Sequence, residues 1–277
     1  MPTTTSSSKS PLAGVIAEKL NAGESLANAD YSNKDLYAIA LNQANLEGVN
    51  FSRSLLTNAD LIGANLKGAN LSGTDLRGAN LTGANLAGSD LTGAYLCRAD
   101  LRGADLSGCQ LENTKFQVAI YNKDTIFPEG FKYRSSGAVG PGANLNGAFL
   151  NTANLRGVDL TGARAIGAYL SGADCTNAIL DDVSFSGANL QKAIMTGASL
   201  RKARFGNAEL LGVDFRGANL TEANFDNIQN IAGADFSMAI GLSDSAKSAI
   251  LGFPAPDLTT WNAYTRCNTK DSLEVRG

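Results

Sequence analysis

The chain has 277 residues, a formal charge of −3, no histidine and only four cysteines. That balance gives no global reason to bind nucleic acid or an anionic membrane, and the missing histidine excludes Ser-His-Asp and Cys-His catalysis. No run of 18 apolar residues is present, so no membrane-spanning helix is expected.

In chain order, residues 1–10 are Ser/Thr-rich and predicted to be disordered. Ser10 then reads as a helix N-cap and Pro11 as a first-turn proline. Leu12, Val15, Ile16 and Leu20 follow at helical spacing, which predicts a short amphipathic helix within a leader of residues 1–23. The next stretch, 24–123, carries the dominant pattern. From Ala59 to Gly108 every fifth residue is leucine, from Leu61 to Leu106. Two positions earlier stands a small residue, usually Ala. One position earlier stands Asp or Asn, with Tyr95 as the exception. Two positions later stands Gly, with Arg98 as the exception.

A period of five fits neither the helix nor the strand repeat. It demands a unit that turns, burying one large and one small residue each time. A unit so short cannot bury its own apolar face, so units must stack. Residues 124–142, DTIFPEGFKYRSSGAVGPG, break the period. A second array runs over 143–239, its centres including Leu145, Cys175, Phe185, Phe205, Phe215 and Phe225, with one extra residue before Phe236. Ser243 reads as the N-cap of a last helix. The remainder of the 240–277 segment has no repeats and holds the only tryptophan, Trp261.

The A-(D/N)-L-x-x units resemble the pentapeptide-repeat family. The resemblance implies an all-β fold, a right-handed quadrilateral parallel β-helix in two segments with short helical caps. Four units would form one square coil, so residues 20 apart would stack. On that register Leu66 lies over Leu86, and Phe185, Phe205 and Phe225 form an internal aromatic ladder. Asp182, Lys202 and Glu222 would align at one corner, with Asp181 beside Arg201, as a salt-bridge ladder. The leader helix would cap the first coil, a partner-binding helix being the alternative. The break resembles an interruption seen in many members. It is read as an insertion loop with Phe127 and Phe131 over the end of a coil, the alternative being a functional loop. The tail around Trp261 is left open between packing on the coil and trailing free.

No catalytic constellation, cofactor motif or metal site is expected. The cysteines Cys97, Cys109, Cys175 and Cys267 form no C-x-x-C pair, which points to reduced thiols and a cytoplasmic location. The repeated Asp and Asn residues are expected to bond neighbouring backbone. The face centred on Leu36, Leu56, Leu76 and Leu96 departs most from the polar pattern. Its Tyr37, Leu55, Arg77, Tyr95 and Arg98 are the candidate protein-binding residues, since Tyr and Arg anchor interfaces. Phe127, Phe131 and Trp261 are the loop and tail candidates. The leading expectation is a non-catalytic scaffold for another protein, with a homodimer as one form of partner and no direct contact with nucleic acid. The family resemblance offers an alternative, a DNA-mimicking regulator of DNA gyrase, and a third, a purely structural role. The family is especially abundant in photosynthetic bacteria.

Overall fold

The structure, a computed structural model, describes residues 11–274. Ser10, the expected N-cap, and the rest of the Ser/Thr-rich residues 1–10 lie outside the described residues. The chain divides into two compact units, Met1–Val139 and Gly140–Gly277. Each is a stack of square coils of parallel β-helix, built by the same local rules.

The five residues centred on Leu81 show those rules. Ala79 and Leu81 are fully buried. The Leu81 N–H donates to the Asp100 carbonyl of the following coil at 2.8 Å, and the Asn80 N–H to Ala59 of the preceding coil at 2.9 Å. The Gly83 N–H donates forward to Arg102 at 2.9 Å, and the Ala84 N–H closes a turn on Leu81 at 3.0 Å. One amide remains, that of Thr82, and it donates to the Asn80 side-chain Oδ1 at 3.1 Å. All five backbone donors from Asn80 to Ala84 are thereby satisfied. The recurring Asp or Asn is explained: it supplies the acceptor for the first turn residue. The recurring Gly is explained too, because Gly83 sits at φ 65°, the left-handed second position of a type II turn.

The bridges join residues 20 apart, such as Asn65 with Asn85 and Asn80 with Asp100. Leu66 and Leu86 are therefore neighbours in one stack, both fully buried. Each side contributes a single bridging residue, because a turn every five residues leaves no room for a longer strand. The fold is all-β through these isolated parallel bridges. Asp105 pairs with Ile126 and Glu209 with Asn230, 21 apart, and each marks one inserted residue.

In the first unit, helix α1 (Pro11–Asn21) buries Ala13 and Ile16. Val15, expected on the apolar side, is 48% exposed. The buried stripe follows positions 13 and 16, which turns residue 15 outward. At the other end of the unit, Phe127 and Phe131 join Phe116, Tyr121 and Tyr133 in one ring cluster. Phe127 stacks on Tyr133 with centroids 4.6 Å apart, and Phe131 lies 5.5 Å from Phe116.

In the second unit the ladder is present, with Phe185 to Phe205 at 5.6 Å and Phe205 to Phe225 at 4.8 Å. A second stack, Phe215 on Phe236 at 5.0 Å, runs beside it. The expected corner ladder is reduced to one contact, Lys202 to Glu222 at 4.0 Å. Asp181 instead accepts from the Ser199 hydroxyl and the Arg201 backbone N–H. Those donors are local and already positioned, whereas the long basic side chains gain little from pairing in water.

The tail packs on the last coil. Helix α2 (Asp244–Leu251) is capped by Ser243, whose Oγ accepts from the Ala246 N–H. After α3 (Ala255–Leu258), strands β1 (Trp261–Asn262) and β2 (Cys267–Asn268) form a hairpin, followed by α4 (Thr269–Ser272). The Phe236 N–H occupies the position that elsewhere donates to a following coil, and here it donates to Ser272 Oγ at 3.0 Å. Asn262 Nδ2 donates to the Gly233 carbonyl and Thr269 Oγ1 to the Ile231 carbonyl, both at 2.8 Å. The tail thus covers a β-helix end that would otherwise present unpaired backbone.

Candidate protein-binding surface

The outward positions of the first unit fall into columns. One bridge column runs Asp35, Leu55, Asp75, Tyr95, Lys115. Beside it the turn residues stack, shown by the amides of Ala38, Asn58, Gly78 and Arg98 donating to the carbonyls of Thr57, Arg77, Cys97 and Gln117. Tyr37, Leu55, Arg77, Tyr95 and Arg98 therefore share one side over four successive coils. Tyr37, Leu55 and Tyr95 are each nearly half exposed, at 46%, 46% and 47%. Asn58 Nδ2 donates to the Tyr37 hydroxyl at 3.3 Å.

Leu55 and Tyr95 occupy the position that normally holds Asp or Asn. Among the described residues, the amides of Thr57 and Cys97 consequently lack the side-chain acceptor found at Thr82. Each replacement gives up a hydrogen bond worth about 0.5–1.5 kcal/mol and leaves a large apolar group in water. Nothing in the packing of the coil requires either.

The two arginines differ. Arg77 Nε donates to both carboxylate oxygens of Asp75 at 2.9 and 3.0 Å. This bond holds the Asp75 carboxyl below its ordinary value, against burial, which raises it. A group with a lowered folded pKa stabilises the fold above its unfolded value, about 3.9, and loses that contribution as pH falls through the folded value. The melting-temperature gap between the wild type and Asp75→Asn is therefore expected at neutral pH and should shrink below about pH 4. A gap independent of pH would show that the ion pair is not its source. Arg98 makes no salt bridge among the described residues, and its backbone sits at φ 61°. It borders a cleft of about 520 Å³ with Asn58, Cys97 and Gln117. Cys97 Sγ lies 3.4 Å from Gln117 Oε1.

The other candidates are distributed differently. Phe127 and Phe131 are half-buried within the ring cluster described above. Trp261 is 61% exposed and Tyr264 67%. Both line a cleft of about 470 Å³ in the second unit, together with Lys192, Ile194 and Asp214. Phe149 and Tyr169, adjacent in a bridge column, stack with centroids 5.0 Å apart and planes 6° apart, and Phe149 is 77% exposed. Sequence reasoning passed over this pair, although each stands where Asp or Asn is the rule, the signal that singled out Tyr95.

Burial pushes the Cys109 thiol up to about 11 and the Cys175 thiol up to about 12. Neither is a nucleophile at neutral pH. Among the described residues no group of three or more His, Cys, Asp or Glu side chains could hold a metal ion. No helix among them is long and apolar enough to cross a membrane.

A family model described as pentapeptide repeats matches in eight copies, over residues 40–78, 79–117, 142–172, 160–197, 168–207 and 198–229. No curated protein matches the chain. Among solved structures, the chain is similar to HetL, a pentapeptide repeat protein involved in heterocyst differentiation regulation in the cyanobacterium Nostoc sp. strain PCC 7120. Identity is 25%, coverage 82% of this chain and 95% of HetL, and the TM-score 0.32. A second pentapeptide repeat protein of Nostoc PCC 7120 is 35% identical over 45% of this chain and 92% of its own, with a TM-score of 0.26. QnrB1, a plasmid-mediated fluoroquinolone resistance protein, is 19% identical over 81% of this chain and 100% of its own, with a TM-score of 0.31. With the family model matching more than half of the sequence, this chain belongs to the pentapeptide-repeat family.

Proposed function

We propose that the chain is a non-catalytic scaffold in the cytoplasm that binds another protein through the face bearing Tyr37, Leu55, Tyr95 and Arg98. The observation that carries this reading is the replacement of the outward Asx by Leu55 and Tyr95. These sites expose apolar surface and forgo a backbone hydrogen bond, which the coil gains nothing from. Aromatic and arginine side chains are the residues that interfaces reuse as anchors. Arg77 contributes by ordering the face through Asp75.

The test uses the protein as bait in lysate of its own cell. Tyr95→Ala/Arg98→Ala is expected to keep the wild-type melting temperature and to lose discrete partners that the wild type recovers. Equal recovery by both folded proteins would overturn the assignment. Arg77 is left intact in this variant because its loss would leave the buried Asp75 carboxylate without its partner.

DNA mimicry has weaker support. A duplex mimic needs dense negative charge along one face. Each outward column of the first unit mixes residue types: Asp30, Asn50, Asn70, Asp90, Gln110 in one, and Ala40, Asp60, Asn80, Asp100, Ile120 in another. Stoichiometric protein is expected to leave the supercoiling activity of DNA gyrase unchanged, and inhibition would restore the mimic.

A further inference from the structure

The charge of the first unit is unevenly placed. Residues 24–123 hold eight bases and ten acids. Five of the bases, Lys34, Arg53, Arg77, Arg98 and Lys115, lie on the Tyr37/Leu55/Tyr95 side or at its two corners, and all five are exposed. Only three of the acids, Asp35, Asp75 and Glu112, lie there. Asp75 is buried and already paired with Arg77. Among the described residues, Lys34, Arg53, Arg98 and Lys115 make no salt bridge. A unit with more acids than bases therefore presents one side with a local excess of positive charge, and its exposed apolar groups stand within that excess.

Both properties are needed to describe what fits. Positive charge alone would suit any polyanion. Here, however, the bases are interleaved with two tyrosines and a leucine, whose apolar bodies gain nothing from a phosphate backbone. The bases are also spread over five coils, with successive coils about 4.8 Å apart, instead of converging on a single point as an anion site would require. We infer that this face docks an acidic polypeptide segment that carries aromatic or aliphatic side chains among its carboxylates. Lys34, Arg53, Arg98 and Lys115 steer and orient it, and Tyr37, Leu55 and Tyr95 bury its apolar groups. The inference rests on the protein-binding reading above and adds the chemistry of the partner.

The experiment measures fluorescence anisotropy of a labelled random copolymer of glutamate and tyrosine, titrated with the full chain. Polyglutamate, a lysine–tyrosine copolymer and duplex DNA serve as comparisons. The Glu-Tyr copolymer is expected to bind, more weakly as salt is raised. Polyglutamate should bind less tightly, and the lysine copolymer not at all. Arg53→Glu/Arg98→Glu should weaken the Glu-Tyr copolymer about tenfold or more, and Tyr95→Ala should bring its affinity toward that of polyglutamate. Glutamate is compatible with these corners, since Glu222 occupies the equivalent turn position at φ 59°. Unchanged melting temperatures establish that both variants are folded.

Copolymer binding indifferent to both variants would overturn the inference. So would duplex DNA or polyglutamate binding as tightly as the Glu-Tyr copolymer with the same sensitivity, because the face would then be a general polyanion surface. If the copolymer result fails while the bait variant still loses its partners, the face binds protein of another chemistry and only the acidic assignment falls. If both fail, the scaffold face itself is wrong.

Discussion

Leu81→Asp is expected to unfold the first unit. Leu81 is fully buried at the centre of a closed coil, with Ala79 and Ala84 beside it equally buried. Truncating such a leucine costs about 2–5 kcal/mol, and burying a carboxylate with no partner adds several more. No cation is available in that column, since the buried residues of the first unit's coils are almost all aliphatic or aromatic. Thr82→Asp, one residue along, should cost less than about 1 kcal/mol. Position 82 points outward, and the following coil places Arg102 in the same corner column, where it would meet the new carboxylate. Circular dichroism melting of the two variants is the measurement. Comparable melting temperatures would show that the five-residue inward and outward assignment is wrong.

That assignment was legible because the period forces it. A sequence that buries the same two of five positions leaves one register, and the left-handed turn residue accounts for glycine two places after each leucine. What remained hidden has physical causes. The Phe215–Phe236 stack is hidden from a count by 20 because the inserted residue between Phe225 and Ile231 changes the spacing to 21. Val15 faces outward where the sequence predicts it inward, because α1 is only 11 residues long and stripes offset by one position compete in so short a helix. The corner of Asp182, Lys202 and Glu222 holds one contact instead of a ladder because alignment at a corner does not bring flexible side chains together. For the candidate face, column membership followed from the register. The distinction between Arg77 and Arg98 did not, because it depends on which carboxylate each guanidinium reaches. That signal was nonetheless spelled in the chain, as Asp-x-Arg across a central residue. Asp75–Arg77, Asp100–Arg102 and Asp214–Arg216 all place the two side chains on either side of the same turn, close enough to pair.

These three pairs should not be equivalent, and the difference yields the second large effect. Arg216→Ala is expected to destabilise the second unit by about 3 kcal/mol, and Arg102→Ala to destabilise the first by less than about 1 kcal/mol. The local geometry is the same. Arg216 Nε lies 2.9 Å from Asp214 Oδ1, and Arg102 Nε lies 2.9 Å from Asp100 Oδ1. Burial of the carboxylate separates them: the Asp214 side chain is 2% exposed and that of Asp100 20%. Without its arginine, Asp100 can be rehydrated. Asp214 cannot, and keeps only the Thr196 hydroxyl and the residue 216 backbone N–H as donors. Arg216 also lies over the Tyr264 ring, 5.8 Å from its centroid, so its loss removes a contact holding the tail hairpin. A double variant, Asp214→Asn/Arg216→Ala, separates the two contributions. Removing the charge should recover more than half of the loss, and the remainder is the tail contact and the packing of the arginine stem. Equal losses for Arg216→Ala and Arg102→Ala, measured by chemical denaturation, would show that burial of the carboxylate does not govern the strength of these turns.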